Sequence, residues 1–162
     1  MDKTILFKQV HPDAKLPTKT HSGAGIGDTG YDVYAVENVV IDPGKSAVVD
    51  VGIELAYMPP GYWIRIEGRS GLGFVKGIWP HPGIIDNQYR GNMGVKLYNL
   101  NKPSADDWDG VYGTSTMKEA YEVKAGDRIA QLVVYKLHEL DVAFGASVES
   151  ERGEKGFGSS GT

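Results

Sequence analysis

Asp86 stands directly after two isoleucines in the run Gly83-Ile84-Ile85-Asp86-Asn87-Gln88-Tyr89-Arg90-Gly91-Asn92-Met93-Gly94-Val95, which puts a carboxylate at the edge of an apolar strand. Such a group can take a proton from water, the work of a general base. An aspartate bonding its own backbone in a turn is the plainer alternative. The two apolar stretches around the polar centre read as a hairpin kept open by glycine at both ends. In Gly68-Arg69-Ser70-Gly71-Leu72-Gly73 a guanidinium, a hydroxyl and several glycine N–H groups suit an anionic oxygen. Asp32, in the glycine-rich stretch Gly25 to Ala35, faces either a metal or a turn. The tail Ser150 to Thr162 reads by composition as a flexible terminus. It also holds what is needed to grip a nucleotide: Arg152 and Lys155 for phosphate, Ser159, Ser160 and glycine N–H groups for oxygen acceptors, and Phe157 for a base face.

Several other chemistries are excluded. Lys155 is followed by Gly156 with no strand-to-helix context, so the tail is not a Walker loop. Gly25-Ile26-Gly27 opens toward a strand, which rejects a dinucleotide fingerprint. Asp107, Asp109 and Gly110 resemble part of a calcium loop, but its first and twelfth ligand positions fall on Ala105 and Thr116. His11, His21, His81 and His138 are scattered, and the chain has no cysteine, so zinc sites, disulfides and a thiol nucleophile are not expected. A net charge of −4 argues against a broad basic face and hence against direct nucleic-acid binding. A single small polyanion remains open if the few cations converge. The first residues lack the pattern of a signal peptide, and no apolar run is long enough for a membrane span; a soluble, cytoplasmic protein without a membrane partner is expected.

These groups must be positioned by strands. β-branched and aromatic runs recur at Ile5 to Val10, Val36 to Ile41, Ala47 to Leu55, Tyr62 to Ile66, Met93 to Tyr98 and Ile129 to Tyr135, separated by turns such as Asp42-Pro43-Gly44 and Pro59-Pro60-Gly61. No segment keeps a helical period, and glycine, 22 of 162 residues, is too frequent for a helical bundle. The pattern predicts one all-β domain over 1–149, a sandwich or barrel of antiparallel strands, followed by a glycine-rich arm over 150–162. A polar stretch over about 100–121 is longer than an ordinary hairpin connection and reads as an insertion.

Five segments taken in order closely resemble the five motifs of the trimeric dUTPase family: DTGYDVYA (28–35), GRSGLGFVKGI (68–78), GIIDNQYRGNMGVKLYN (83–99), AGDRIAQLVV (125–134) and RGEKGFGSSG (152–161). The resemblance implies a jelly-roll-like β-barrel, a homotrimer with active sites shared between subunits, and Mg²⁺-assisted hydrolysis of dUTP to dUMP and pyrophosphate. It assigns Asp86 as the base that activates the attacking water and Asp32 as the residue that holds the metal through bound water. It assigns Arg69, Ser70, Gly71 and Gln131 to the phosphate chain, and Arg152, Gly158, Ser159 and Ser160 to the arm that closes over it. Tyr89 would lie beneath the deoxyribose and reject a 2′-hydroxyl, the backbone at Gly83 and Gly94 would read uracil, and Phe157 would stack on it as a lid.

Many members of the family carry Asn or Asp a few residues before the motif-three glycine, where this chain has Ile78-Trp79-Pro80-His81-Pro82. The 100–121 insertion resembles the extra loop of some bacteriophage dUTPases. A dCTP deaminase is disfavoured because Ser70 is followed by Gly71-Leu72 and the hairpin with Asp86 and Tyr89 is complete. The alternative of another class is a binding or signalling module that engages a protein partner through the insertion, where Trp108 and Tyr112 lie.

Overall fold

In the chain's fold, a computed structural model that describes residues 3–23, 26–102 and 120–148, the strand-forming runs build ten strands. They are β1 (Leu6–Gln9), β2 (Tyr31–Tyr34), β3 (Val39–Ile41), β4 (Ser46–Tyr57), β5 (Tyr62–Glu67), β6 (Ile78–Pro80), β7 (Ile84–Ile85), β8 (Asn92–Asn99), β9 (Tyr121–Val123) and β10 (Arg128–Lys136). Every ladder between named strands is antiparallel. One sheet runs β1-β4-β8-β6, a second β2-β10-β5-β7, and β3 pairs with β9 alone. The all-β class expected from the sequence holds, as separate sheets and not as one closed ring of described strands.

Alternation decides which faces meet. In β8 Met93, Val95 and Leu97 are buried while Asn92, Gly94 and Lys96 are exposed, the period of two that a half-buried strand requires. Val49, Leu55 and Leu97 of the first sheet join Ile64 and Leu132 of the second in a single core cluster. Gly44 and Gly61, with φ of +74° and +79°, supply the left-handed residues of the two expected turns.

Asn99 is the most deeply buried polar residue described, 1% exposed. Its Nδ2 donates to the Ile41 carbonyl at 2.9 Å, and its Oδ1 accepts from the Asn101 backbone N–H at 3.1 Å and from Asn101 Nδ2 at 2.7 Å. Asn101 Nδ2 also donates to the Lys76 carbonyl. An Asn99→Leu change keeps the branching of the side chain but orphans two backbone groups, at about 1–3 kcal/mol each. Stability is therefore expected to fall by about 2 kcal/mol or more, read as a lower urea midpoint at unchanged slope.

One sequence expectation is corrected, and one short element carries no signal in the sequence. Gly71–Val75 winds into one helical turn, too short to show a helical period, with the Gly73 N–H bonded to the Arg69 carbonyl at 2.9 Å. The turn is seated on Trp79: a Cβ on Gly73 would fall 2.5 Å from the indole, and one on Gly68 would fall 3.0 Å from it. Glycine here makes room for a ring that strand or helix periodicity does not register. The segment Gly83 to Val95, read as a hairpin, has its arms in different sheets, β7 pairing with β5 and β8 with β4 and β6. Ile84 and Ile85 find strand partners in Arg65 and Ile64, so the polar centre bridges the two sheets. Pro80-His81-Pro82 is supported by β8, Pro80 lying opposite Leu97 and the His81 N–H donating to the Lys96 carbonyl at 2.7 Å.

Candidate active site

Register on the second sheet gathers the phosphate-binding candidates. Gln131 on β10 lies opposite Asp32 on β2 and opposite Glu67 at the end of β5, so the chain after Glu67 emerges beside both. Gln131 Nε2 donates to the Gly68 carbonyl at 2.7 Å and fixes that exit. Arg69 then donates from Nε to Asp32 Oδ1 at 2.8 Å and from a terminal amino group to the Arg128 carbonyl at 3.2 Å. Arg128 donates to Asp32 Oδ2 at 3.1 Å and to Thr20 Oγ1 at 3.1 Å. A Cβ on Gly30 would collide with the Gln131 side chain, so glycine is required there.

The result is a cleft of about 420 Å³ lined by Asp32, Arg69, Ser70, Gly71 and Gln131, together with Thr20, His21, Asp28, Thr29 and Gly30. Two guanidinium groups, those of Arg69 and Arg128, converge on the Asp32 carboxylate, beside the Ser70 hydroxyl and the backbone N–H groups of a glycine-rich turn. That is suitable chemistry for an anionic oxygen chain.

Arg128, Thr20, His21 and Asp28 were assigned no role at the site by sequence, and all four bond within it. Arg128 is three positions before Gln131, and strict alternation would send the two to opposite faces. A register shift between Arg128 and Ala130 absorbs the odd residue and turns both toward Asp32. The signal for His21 and Asp28 is spacing around a glycine-rich loop. The His21 backbone N–H donates to Asp28 Oδ2 at 2.9 Å, and His21 Nδ1 lies 3.3 Å from Oδ1. That backbone hydrogen bond holds the Asp28 carboxyl below its ordinary 3.8. A depressed carboxyl contributes stability above its unfolded pKa and loses it as pH falls through the folded value. The carboxyl carbon of Asp28 is thus expected to titrate by NMR below pH 3.8, with the His21 amide shifting in step; a midpoint at or above 3.8 would contradict the bond.

Asp86 and Tyr89 lie elsewhere. Asp86 is exposed, immediately after β7, and its carbonyl accepts the Tyr89 N–H at 3.0 Å. Arg90 donates to the carbonyls of Asn87 and Tyr89, both at 2.8 Å. The Tyr89 hydroxyl donates to the Asn92 carbonyl at 3.0 Å, and Asn92 Nδ2 reaches both carboxylate oxygens of Asp50 at 3.0 Å. The Gly83 carbonyl accepts the Ile66 N–H at 2.8 Å, while Gly94, exposed on β8, packs against Val48. Ile85 pairs with Ile64, three residues before Glu67, and Asp86 lies one residue further along, so Asp86 is about 13 Å along and about 10 Å across the sheet from Gln131. Within one chain the structure brings Asp32, Arg69, Ser70, Gly71 and Gln131 together and leaves Asp86, Tyr89, Gly83 and Gly94 apart from them. Arg152, Phe157, Gly158, Ser159 and Ser160 lie outside the described residues, as do 103–119 of the insertion.

Comparison with known proteins agrees with this layout. The dUTPase family model matches residues 13–106 and 105–161. A deoxyuridine 5'-triphosphate nucleotidohydrolase of Solibacter usitatus is 38% identical over 159 residues, covering 97% of this chain and 95% of its own length. That of Paramecium bursaria Chlorella virus 1 is 35% identical and covers 98% of each chain. Among solved structures, the dUTPase G164S mutant of Staphylococcus bacteriophage 80alpha with dUpNHpp superposes at a TM-score of 0.80, with 30% identity, over 98% of this chain and 99% of that one. Motif order, phosphate-type cleft, sequence identity and fold converge on one conclusion: the chain belongs to the dUTPase family.

Proposed function

We propose that the protein hydrolyses dUTP to dUMP and pyrophosphate, with the phosphate chain in the cleft and Asp86 as the base. The observation that carries this reading is the clustering of Arg69, Arg128 and Gln131 around Asp32, next to Ser70 and Gly71. A triphosphate repels an incoming nucleophile until cations and N–H donors neutralise it, and these groups supply that neutralisation in fixed positions. Water attacks the α-phosphorus, its proton passes to the Asp86 carboxylate, and the bond from the α-phosphorus to the α,β-bridging oxygen breaks as pyrophosphate leaves.

The separation of Asp86 from the cleft favours a homotrimer in which one subunit's cleft is completed by another's Asp86 and Tyr89. Tyr89 excludes a 2′-hydroxyl, the backbone at Gly83 and Gly94 reads uracil, and the arm carrying Arg152, Phe157, Gly158, Ser159 and Ser160 closes the site.

The donor set suits Mg²⁺. No group of three or more acidic or histidine ligands is present among the described residues, but magnesium in phosphate sites is held by one or two carboxylates, substrate oxygens and retained water. Asp32 fits as such a carboxylate, each oxygen keeping one lone-pair direction beyond its bond to an arginine. When bound, the ion would add neutralising charge on the phosphate oxygens. The cleft also favours this reading over a partner-binding module on the 100–121 insertion.

The test is pyrophosphate release from dUTP compared with UTP, dTTP and dCTP. Turnover of dUTP exceeding each of the others by about 100-fold or more is expected, since pockets built on hydrogen bonding discriminate at that level and above. Equal turnover of all four would refute the reading.

A further inference from the structure

We infer that Asn87 is the positioning residue of the turn that carries Asp86 and Tyr89, an inference that rests on the dUTPase reading of that turn. The side-chain amide of Asn87 reaches across to the connection between β4 and β5. Its Nδ2 lies 2.8 Å from the Pro59 carbonyl, 3.1 Å from that of Tyr62 and 3.4 Å from that of Met58. Two hydrogens are available, and the two shorter contacts take them. The connection they grip is stiff, because Pro59 and Pro60 fix φ and Gly61 turns the chain at φ of +79°. Met58 and Pro59 are buried, so the anchor belongs to the core side of the fold.

The geometry explains why one amide matters. β7 is only two residues long, and Asp86 follows it exposed and outside any ladder. Nothing in the sheet therefore fixes the orientation of the Asp86 backbone. Asn87, the next residue, ties it to a rigid point, and Arg90 closes the opposite side of the turn on the carbonyls of Asn87 and Tyr89. The Tyr89 N–H bond to the Asp86 carbonyl then couples the two functional side chains. Loosening the amide anchor would shift base and sugar platform together, and a displacement of about 1 Å at a reacting group costs on the order of 100-fold in rate.

The experiment compares wild type with Asn87→Asp, which cannot donate and turns a carboxylate toward carbonyl oxygens, and with Asn87→Ala, which removes the donor without adding charge. In both, kcat for dUTP is expected to fall by about 10–100-fold with KM within threefold, and the preference for dUTP over UTP to shrink. Amide hydrogen exchange at Tyr89 is expected to accelerate by about 10-fold or more while the β4–β8 ladder keeps its protection. A purely structural role would instead loosen the ladder and lower the melting temperature without the split between kcat and KM. The inference is overturned if both variants keep kcat within twofold, or if Tyr89 exchange is unchanged. Should wild type itself show no dUTP turnover, the functional reading fails, and the exchange measurement still decides whether Asn87 holds the turn.

Discussion

Asp86→Asn is expected to lower kcat for dUTP by about 1,000-fold while leaving nucleotide binding nearly intact. Asparagine matches aspartate in shape but cannot accept the proton of the attacking water, and loss of a positioned base costs about 10²–10⁴-fold. Binding is expected to survive because the groups proposed to meet the phosphates stand on other elements: Arg69 and Gly71 after β5, Gln131 on β10 and Asp32 on β2. The backbone of the turn is also untouched, since its bonds run through the Asp86 carbonyl, the Asn87 amide and Arg90. Steady-state kinetics with calorimetric titration of the non-hydrolysable dUpNHpp separates the two effects. Retention of kcat within tenfold would remove Asp86 as the base; loss of dUpNHpp binding would recast it as a binding residue.

The largest expected effect on stability comes from Gly52→Ala. Gly52 sits in β4 at φ of +66°, where the register against β8 shifts between Asp50 and Glu54. A non-glycine residue there pays about 1–2 kcal/mol for the left-handed backbone. The added Cβ would also fall 2.6 Å from the Cβ of His11 and 2.9 Å from both the Cβ of Ala14 and Cγ1 of Val36. Overpacking of that kind costs about 1–3 kcal/mol more. The sum, about 2–5 kcal/mol, corresponds to a fall in melting temperature of roughly 5–15 °C for a chain of this size. The Gly52 carbonyl takes the N–H groups of Val10 and His11, and its own N–H donates to Asp50, the carboxylate that holds Asn92. Displacement at the bulge is therefore expected to reach Tyr89 through Asn92. A melting temperature within 2 °C of wild type would show that the strand absorbs the methyl group without strain.

The parts of the fold legible in the sequence are those governed by local pattern. Each of the six β-branched runs holds a strand, because alternation and β-branching act within a few residues. The short strands β2, β6 and β9 lie outside those runs and were not legible: three or four residues are too few for a period, and long-range partners call them into being. The helical turn at Gly71–Val75 depends on Trp79, and the bridging course of Gly83 to Val95 depends on β5 lying within reach of Ile84. At the site, residue types marked Asp32, Arg69, Ser70 and Gly71 as candidates, the resemblance to the dUTPase motifs added Gln131, and the cleft unites them. Arg128 escaped because an irregularity in β10 reverses the face it occupies. Asn87 escaped because an amide in a polar turn has no signature until its three carbonyl partners are in place.

The buried Asn99–Asn101 pair has a consequence for how this chain can vary. Asn101 is fastened to Lys76 and Asn99 on one side, and on the other Tyr121 opens β9 opposite Ile41, whose carbonyl Asn99 also holds. Both ends of the connection between β8 and β9 are thus clamped to the same corner of the fold by contacts that owe nothing to the residues between them. Doubling the length of a connection between fixed feet costs only about 0.6 kcal/mol of closure entropy. Insertions and deletions at this corner are accordingly cheap for the sheets beneath, which makes it a place where related chains can diverge in length and surface chemistry without renegotiating the cleft.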